Sequence, residues 1–173
     1  MREIEKLVSL RSSENSIKLF YDKGQLVFIS SNQIITTRTL EGTYPNYSQL
    51  IPDSFSKVVN FNTKKLVDAL ERIAVLADQQ SSVVKIKLEN TDLASISADA
   101  QDIGNAKELI PVSCSREDFD IAFNVRYLLE GLKVIVSENV LLKCNNATTP
   151  AVLVPEDNLN YFTYLVMPVQ VRS

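Results

Sequence analysis

Apolar positions along this chain follow two periods, and the order in which the periods alternate is repeated. The run Phe61-Asn62-Thr63-Lys64-Lys65-Leu66-Val67-Asp68-Ala69-Leu70 returns 62 residues later as Phe123-Asn124-Val125-Arg126-Tyr127-Leu128-Leu129-Glu130-Gly131-Leu132. In each copy an alternating, strand-like segment runs into asparagine, whose side-chain oxygen can accept from the free amides that open a helix. Leu66, Leu70 and Ile73, and then Leu128, Leu132 and Ile135, follow at helical spacing. The spacing predicts helices over 62–77 and 124–136. Strands are predicted at Val84–Leu88, Leu93–Ala98 and Lys107–Val112 after the first helix, and at Val140–Cys144, Ala151–Val154 and Tyr161–Val169 after the second. Asn90-Thr91-Asp92 and Asp102-Ile103-Gly104 supply turn chemistry between strands. The unit is a strand, a helix and three strands, used twice.

Residues before this pair read as the same unit without its opening strand. Ile4, Leu7 and Val8 share one face of a predicted helix over Met1–Leu10. Strands are predicted at Ile17–Tyr21, Gln25–Ser30 and Ile34–Leu40, with Asp22-Lys23-Gly24 as a hairpin turn. The expected organisation is an incomplete domain over 1–51, a linker over 52–57 and a complete domain over 58–173. The expected class is α+β, with helices on one face of antiparallel sheets.

Composition narrows the chemistry. The chain has 173 residues, 45% of them hydrophobic, enough for one full core and part of a second. It has no histidine, so Ser/His/Asp and Cys/His arrangements are excluded and an ordinary zinc site is not expected. Its four glycines, Gly24, Gly42, Gly104 and Gly131, are too dispersed for a phosphate-cradling loop. Cys114 and Cys144 lie in or beside apolar strands without metal-ligand spacing and read as buried free thiols. No acidic pair suggests acid/base work. A non-enzyme is expected, with no metal and no cofactor. Nothing approaches the roughly 18 apolar residues of a membrane span, and charged Met1–Lys6 does not resemble a signal peptide, so a cytoplasmic protein is expected.

Net charge is −3 but unevenly spread. The predicted helices carry seven basic residues (Arg2, Lys6, Lys64, Lys65, Arg72, Arg126 and Lys133) against five acidic ones. Mixed charge is ordinary on solvated helices. A shared helical surface with this surplus would also meet phosphates weakly, because affinity scales with the counterions released.

Glu41-Gly42-Thr43-Tyr44-Pro45-Asn46-Tyr47, followed by Leu50-Ile51-Pro52, resembles the segment between the second and third domains of the bacterial DNA polymerase III beta subunit. Phe123–Leu129 is similar to that family's last inner helix, and Tyr164-Leu165-Val166-Met167-Pro168-Val169 to its C-terminal strand. The resemblance covers essentially the whole chain in order and spacing. It implies the DNA-clamp fold and a processivity clamp that encircles duplex DNA. In that family, two subunits join head to tail, helices line the hole, and the clamp loader, the polymerase alpha subunit and other proteins dock through short peptides. Residue by residue, it implies a peptide cleft at Pro45, Gln49, Leu50, Thr148, Pro150, Val166, Met167, Pro168 and Val169. It implies DNA-facing helices bearing the seven basic residues named above, and a ring interface at Val75 and Leu76.

The chain departs from the family pattern at Gln49 and Gln170, where arginine is common, and Arg172-Ser173 runs past the usual end. A less positive cleft wall is expected. The resemblance also places the first domain and half of the second outside these residues. A competing reading follows from that, a clamp-derived module that binds peptides without encircling DNA.

Overall fold

The computed structural model describes residues 16–30, 33–44, 46–77, 82–100, 104–114, 119–157 and 162–171. The helix expected over Met1–Leu10, with Arg2 and Lys6, lies outside these residues, as does Pro45. The chain forms two compact units that divide between Pro45 and Asn46. Segment 46–56 therefore groups with the second unit, upstream of the division expected at 52–57.

In the first unit, β1 (Lys18–Asp22), β2 (Gln25–Ile29) and β3 (Ile34–Arg38) form an antiparallel meander. Lys23 and Gly24 both take positive φ, 44° and 78°, which matches a tight turn to the twist of its flanking strands. Leu19, Phe20, Tyr21 and Ile34 are all more than half exposed within this unit.

The second unit is the repeat made solid. Its first copy is β4 (Lys57–Asn62), α1 (Thr63–Ala77), β5 (Val83–Asn90), β6 (Leu93–Ala100) and β7 (Gly104–Cys114). Its second copy is β8 (Asp120–Asn124), α2 (Val125–Leu132), β9 (Asn139–Cys144), β10 (Ala151–Pro155) and β11 (Tyr164–Val166). The predicted asparagines do cap. Asn62 Oδ1 accepts from Lys65 N–H at 3.1 Å, and Asn124 Oδ1 accepts from Arg126 N–H at 3.0 Å. Buried helix positions coincide under the repeat: Leu66 with Leu128, Ala69 with Gly131, and Leu70 with Leu132.

All eight strands form one antiparallel sheet in the order β11-β10-β9-β4-β7-β6-β5-β8. Each copy lends its opening strand to the other. β4 pairs with β9 from Lys57↔Cys144 to Asn62↔Asn139, and β8 pairs with β5 from Val83↔Asn124 to Lys87↔Asp120. Both helices pack on each other and on the face carrying Val59, Phe61, Ile86, Ile96, Phe123, Leu142 and Leu153. The exchange makes one core of two copies, so neither can close without its sibling.

Two elements of the second unit stop short of expectation, whereas β7 runs longer, over Gly104–Cys114 rather than Lys107–Val112. α2 stops at Leu132 rather than 136, because Val134-Ile135-Val136 is a β-branched run that disfavours helix, and the chain must reach the Glu138 carbonyl that accepts Thr63 N–H at 2.9 Å. Ile135 stays buried although it has left the helix. The last strand ends at Val166 rather than Val169, since Pro168 has no N–H to continue a ladder; its expected start, Tyr161, lies outside the described residues. Beyond it, Val169 N–H donates to Ala122 C=O of β8 at 2.8 Å. Met167-Pro168-Val169 thus repeats the behaviour of Ile110-Pro111-Val112, where β7 leaves β6 for β4, with Val112 facing Phe61.

Candidate functional site

Three pieces of the second unit carry the described residues among those marked as a peptide cleft. The first is the segment entering β4. Tyr47–Gln49 forms a 3-10 turn closed by Leu50 N–H on Tyr47 C=O at 2.9 Å, and both Gln49 and Leu50 are exposed. The second is the β9–β10 loop, wound around Asn146. Its Oδ1 accepts from Thr148 N–H at 2.8 Å, Thr149 N–H at 2.9 Å and Thr148 Oγ–H at 2.7 Å. The third is β11 and the residues after it. Val166 is buried in the core, whereas Met167 is 54% exposed. Pro168 and Val169 are half-buried.

The structure brings Thr148 and Val169 together. They line a cavity of about 330 Å³ with Lys85, Asp120, Ala122 and Gln170. Lys85 Nζ lies 3.2 Å from Asp120 Oδ2 beside it. Lys85, Asp120 and Ala122 were not legible as site residues. Nothing local marks β8 and β5 as neighbours of the C-terminal tail, and only the exchange of opening strands puts them there.

Val166 serves the core and not an open surface. α2 supports the same region. Tyr164 lays its ring on Gly131 and donates its hydroxyl to Tyr127 C=O at 3.0 Å. A Cβ on Gly131 would run into that ring, which explains glycine where the first copy has Ala69. Burial, with Glu130 and Tyr127 nearby, pushes the Tyr164 phenol above its ordinary value.

The basic helix residues do not behave alike. Arg72 makes a two-pronged bond to Glu108 on β7, Nε to Oε2 at 3.0 Å and Nη2 to Oε1 at 2.5 Å. That hydrogen bonding raises the guanidinium and holds the Glu108 carboxyl below the usual carboxylate range. Lys133 Nζ sits 2.6 Å from Glu71 Oε1 and ties α2 to α1. Lys64, Lys65 and Arg126 are exposed, and no ion pair holds Lys64 or Lys65 among the described residues. At the other end of α1, Val75 is 72% exposed and Leu76 half-buried. No group of metal-ligating side chains occurs among the described residues, and no helix there is long and apolar enough to cross a membrane.

Residues 48–170 match the family model for the DNA polymerase III beta subunit, C-terminal domain. The chain belongs to the DNA polymerase III beta subunit family. A curated relative from Synechococcus elongatus, named beta sliding clamp, is 46% identical over all of this chain and 46% of its own length. The Synechocystis relative of the same name is 36% identical over 98% of this chain and 44% of its own length. Among solved structures, the DNA polymerase III beta chain of Streptococcus pneumoniae superimposes with a TM-score of 0.79 at 32% identity. It covers 90% of this chain and 41% of that one. The Streptococcus pyogenes beta subunit gives 0.84 at 29%, over 98% and 46%. The chain thus spans about half the length of the curated relatives it matches. These relatives are named sliding clamps or beta chains, and the α+β clamp fold expected from the resemblance is the fold observed.

Proposed function

We propose that this chain is the peptide-docking and part of the DNA-facing portion of a cytoplasmic sliding clamp. Residues 58–173 correspond to the C-terminal domain and residues 1–51 to half of the middle domain. In the whole clamp, two subunits joined head to tail encircle duplex DNA. Val75 and Leu76 contribute to the subunit contact, and Arg2, Lys6, Lys64, Lys65, Arg72, Arg126 and Lys133 lie on the DNA-facing helices. The polymerase alpha subunit, clamp-loader subunits and other proteins dock peptides against Pro45, Gln49, Leu50, Thr148, Pro150 and Val166–Val169.

The observation carrying this reading is the step from Val166 to Met167. One strand residue is buried, and the next, a flexible thioether, stands exposed just before Val169 reaches the cavity shared with Thr148. Such a side chain adapts its shape to an apolar anchor such as leucine or phenylalanine. Fluorescence anisotropy of a short labelled peptide bearing leucine and phenylalanine tests it. Met167→Asp should weaken binding at least about tenfold, because its carboxylate would be desolvated without a partner. Unchanged binding removes Met167 from the site.

One finding favours the competing reading, a peptide-binding module that does not encircle DNA. Arg72 and Lys133 are already engaged by carboxylates, which leaves the described helices little positive charge to offer. Retention on nicked circular DNA after loading, released by linearising the circle, separates the two.

A further inference from the structure

We infer that Asn145 is a positioning residue that fixes the segment carrying Gln49 and Leu50 relative to the loop carrying Thr148. The inference rests on the peptide-docking reading above and names the residue that joins two of its walls. The pairing of β4 with β9 ends at Lys57↔Cys144, so Ser56 and Asn145 would form the next rung. Instead the Asn145 side chain takes over the role of a backbone. Ser56 N–H donates to Asn145 Oδ1 at 2.7 Å, and Asn145 Nδ2 donates to Ser54 C=O at 3.0 Å. The Ser56 hydroxyl adds a long contact to the Asn145 carbonyl at 3.5 Å. Since an N–H can only donate and a carbonyl only accept, one orientation of the amide satisfies both bonds.

What lies on either side gives this clamp its consequence. Towards the N-terminus, Asn46–Leu50 is closed on itself by Gln49 N–H on Asn46 C=O at 3.2 Å and Leu50 N–H on Tyr47 C=O at 2.9 Å. The turn is locally ordered, so its placement depends on where the chain behind it is held, at Ser54–Ser56. Towards the C-terminus, the next residue is Asn146, whose Oδ1 gathers Thr148 and Thr149. Two adjacent asparagines therefore build the two walls, Asn145 anchoring the incoming segment and Asn146 shaping the loop. A glutamine, one methylene longer, would push the segment outward. An aspartate keeps the acceptor for Ser56 but sets an anion against the Ser54 carbonyl.

The test measures binding of a fluorescein-labelled peptide bearing leucine and phenylalanine to the full chain and to Asn145→Ala, Asn145→Asp, Leu50→Ala and the double variants. Hydrogen exchange at the Ser56 amide is followed in parallel. Asn145→Ala should weaken binding about tenfold, the size expected when a hydrogen-bonded placement is lost, and unprotect the Ser56 amide. Asn145→Asp should keep Ser56 protected and lose less. If Asn145 acts by placing Leu50, then Leu50→Ala should cost little more once Asn145 is gone, whereas a general structural role would let the two losses multiply. Multiplying losses, or unchanged binding in Asn145→Ala, overturn the inference. Should Asn145→Ala not fold, the cycle of Asn145→Asp with Leu50→Ala makes the same decision. Met167→Asp runs alongside: if it has no effect, the docking reading falls and this inference with it. If it abolishes binding while the Asn145 losses multiply, only the inference falls.

Discussion

At Gly131 a missing atom holds an aromatic ring in place. Leu66/Leu128 and Leu70/Leu132 show that both helices bury the same face, yet the first copy tolerates Ala69 where the second needs glycine, because Tyr164 lies there. Gly131→Ala should destabilise the second unit by about 1–3 kcal/mol, the cost of overpacking, despite raising helix propensity. Chemical denaturation checks the sign; a stabilised variant would mean that the Tyr164 ring moves aside freely. Cys144 offers a second residue-scale outcome. Burial beneath the sheet pushes its thiol from an ordinary value of 9.0 up to about 11. Ionisation is then easier in the unfolded chain, so stability is intact below about 9 and declines as pH rises towards about 11. At pH 8 a maleimide should leave Cys144 unmodified until denaturant is added. The Arg72–Glu108 pair works in the opposite direction: the lowered Glu108 contributes above the ordinary carboxylate range and is lost as pH falls through its depressed value. Asn62 and Asn124 as caps were readable because capping is local chemistry. Asn145 was not, because its partners lie 89 and 91 residues away.

Elements were predicted well where period and punctuation agreed and poorly where tertiary demands cut them short. β5, β6, β9 and β10 fall on their alternating or apolar runs. α2 and β11 end early, the one at a β-branched run and the other ahead of a proline. The segment before β4 also changes character in the structure. Composition marks 52–57 as a linker, and a linker invites proteolysis, but Ser54 and Ser56 are tied to Asn145 and β4 begins at Lys57. Limited proteolysis should therefore cut earlier, around Leu40–Tyr44, where Leu40 is 97% and Tyr44 80% exposed and Gly42 has φ +117°. The resistant fragment should begin near residue 46. A first cut between Pro52 and Lys57 would show that the Asn145 clamp opens readily.

For the whole molecule, charge pattern and charge availability diverge. The surplus on the helices is visible in the sequence, but Arg72 and Lys133 answer to Glu108 and Glu71, and only the folded chain brings those carboxylates near. Duplex binding by this chain should accordingly be weak at low salt and vanish by roughly 0.2 M, as expected for few phosphate contacts. Lys64→Ala with Lys65→Ala should remove most of it. Arg72→Ala should leave it nearly unchanged while loosening α1 from β7. Electrophoretic shift at two salt concentrations distinguishes these outcomes, and equal losses from Arg72→Ala would mean that its guanidinium leaves Glu108 for phosphate.

The sequence by itself determined the repeating unit, the caps, the core face of each helix and the family, because each depends on residue type at short spacing. It also supplied the residues that the proposed docking surface uses, through their resemblance to a known segment. Only the tertiary structure decided that β4 completes the second copy's sheet and β8 the first's. Two copies with matching apolar faces satisfy their patterns equally well whether each keeps its own opening strand or exchanges it. The choice is made by long-range pairing that joins both halves around a single core, and the same pairing brings Lys85, Asp120 and Ala122 to the C-terminal tail.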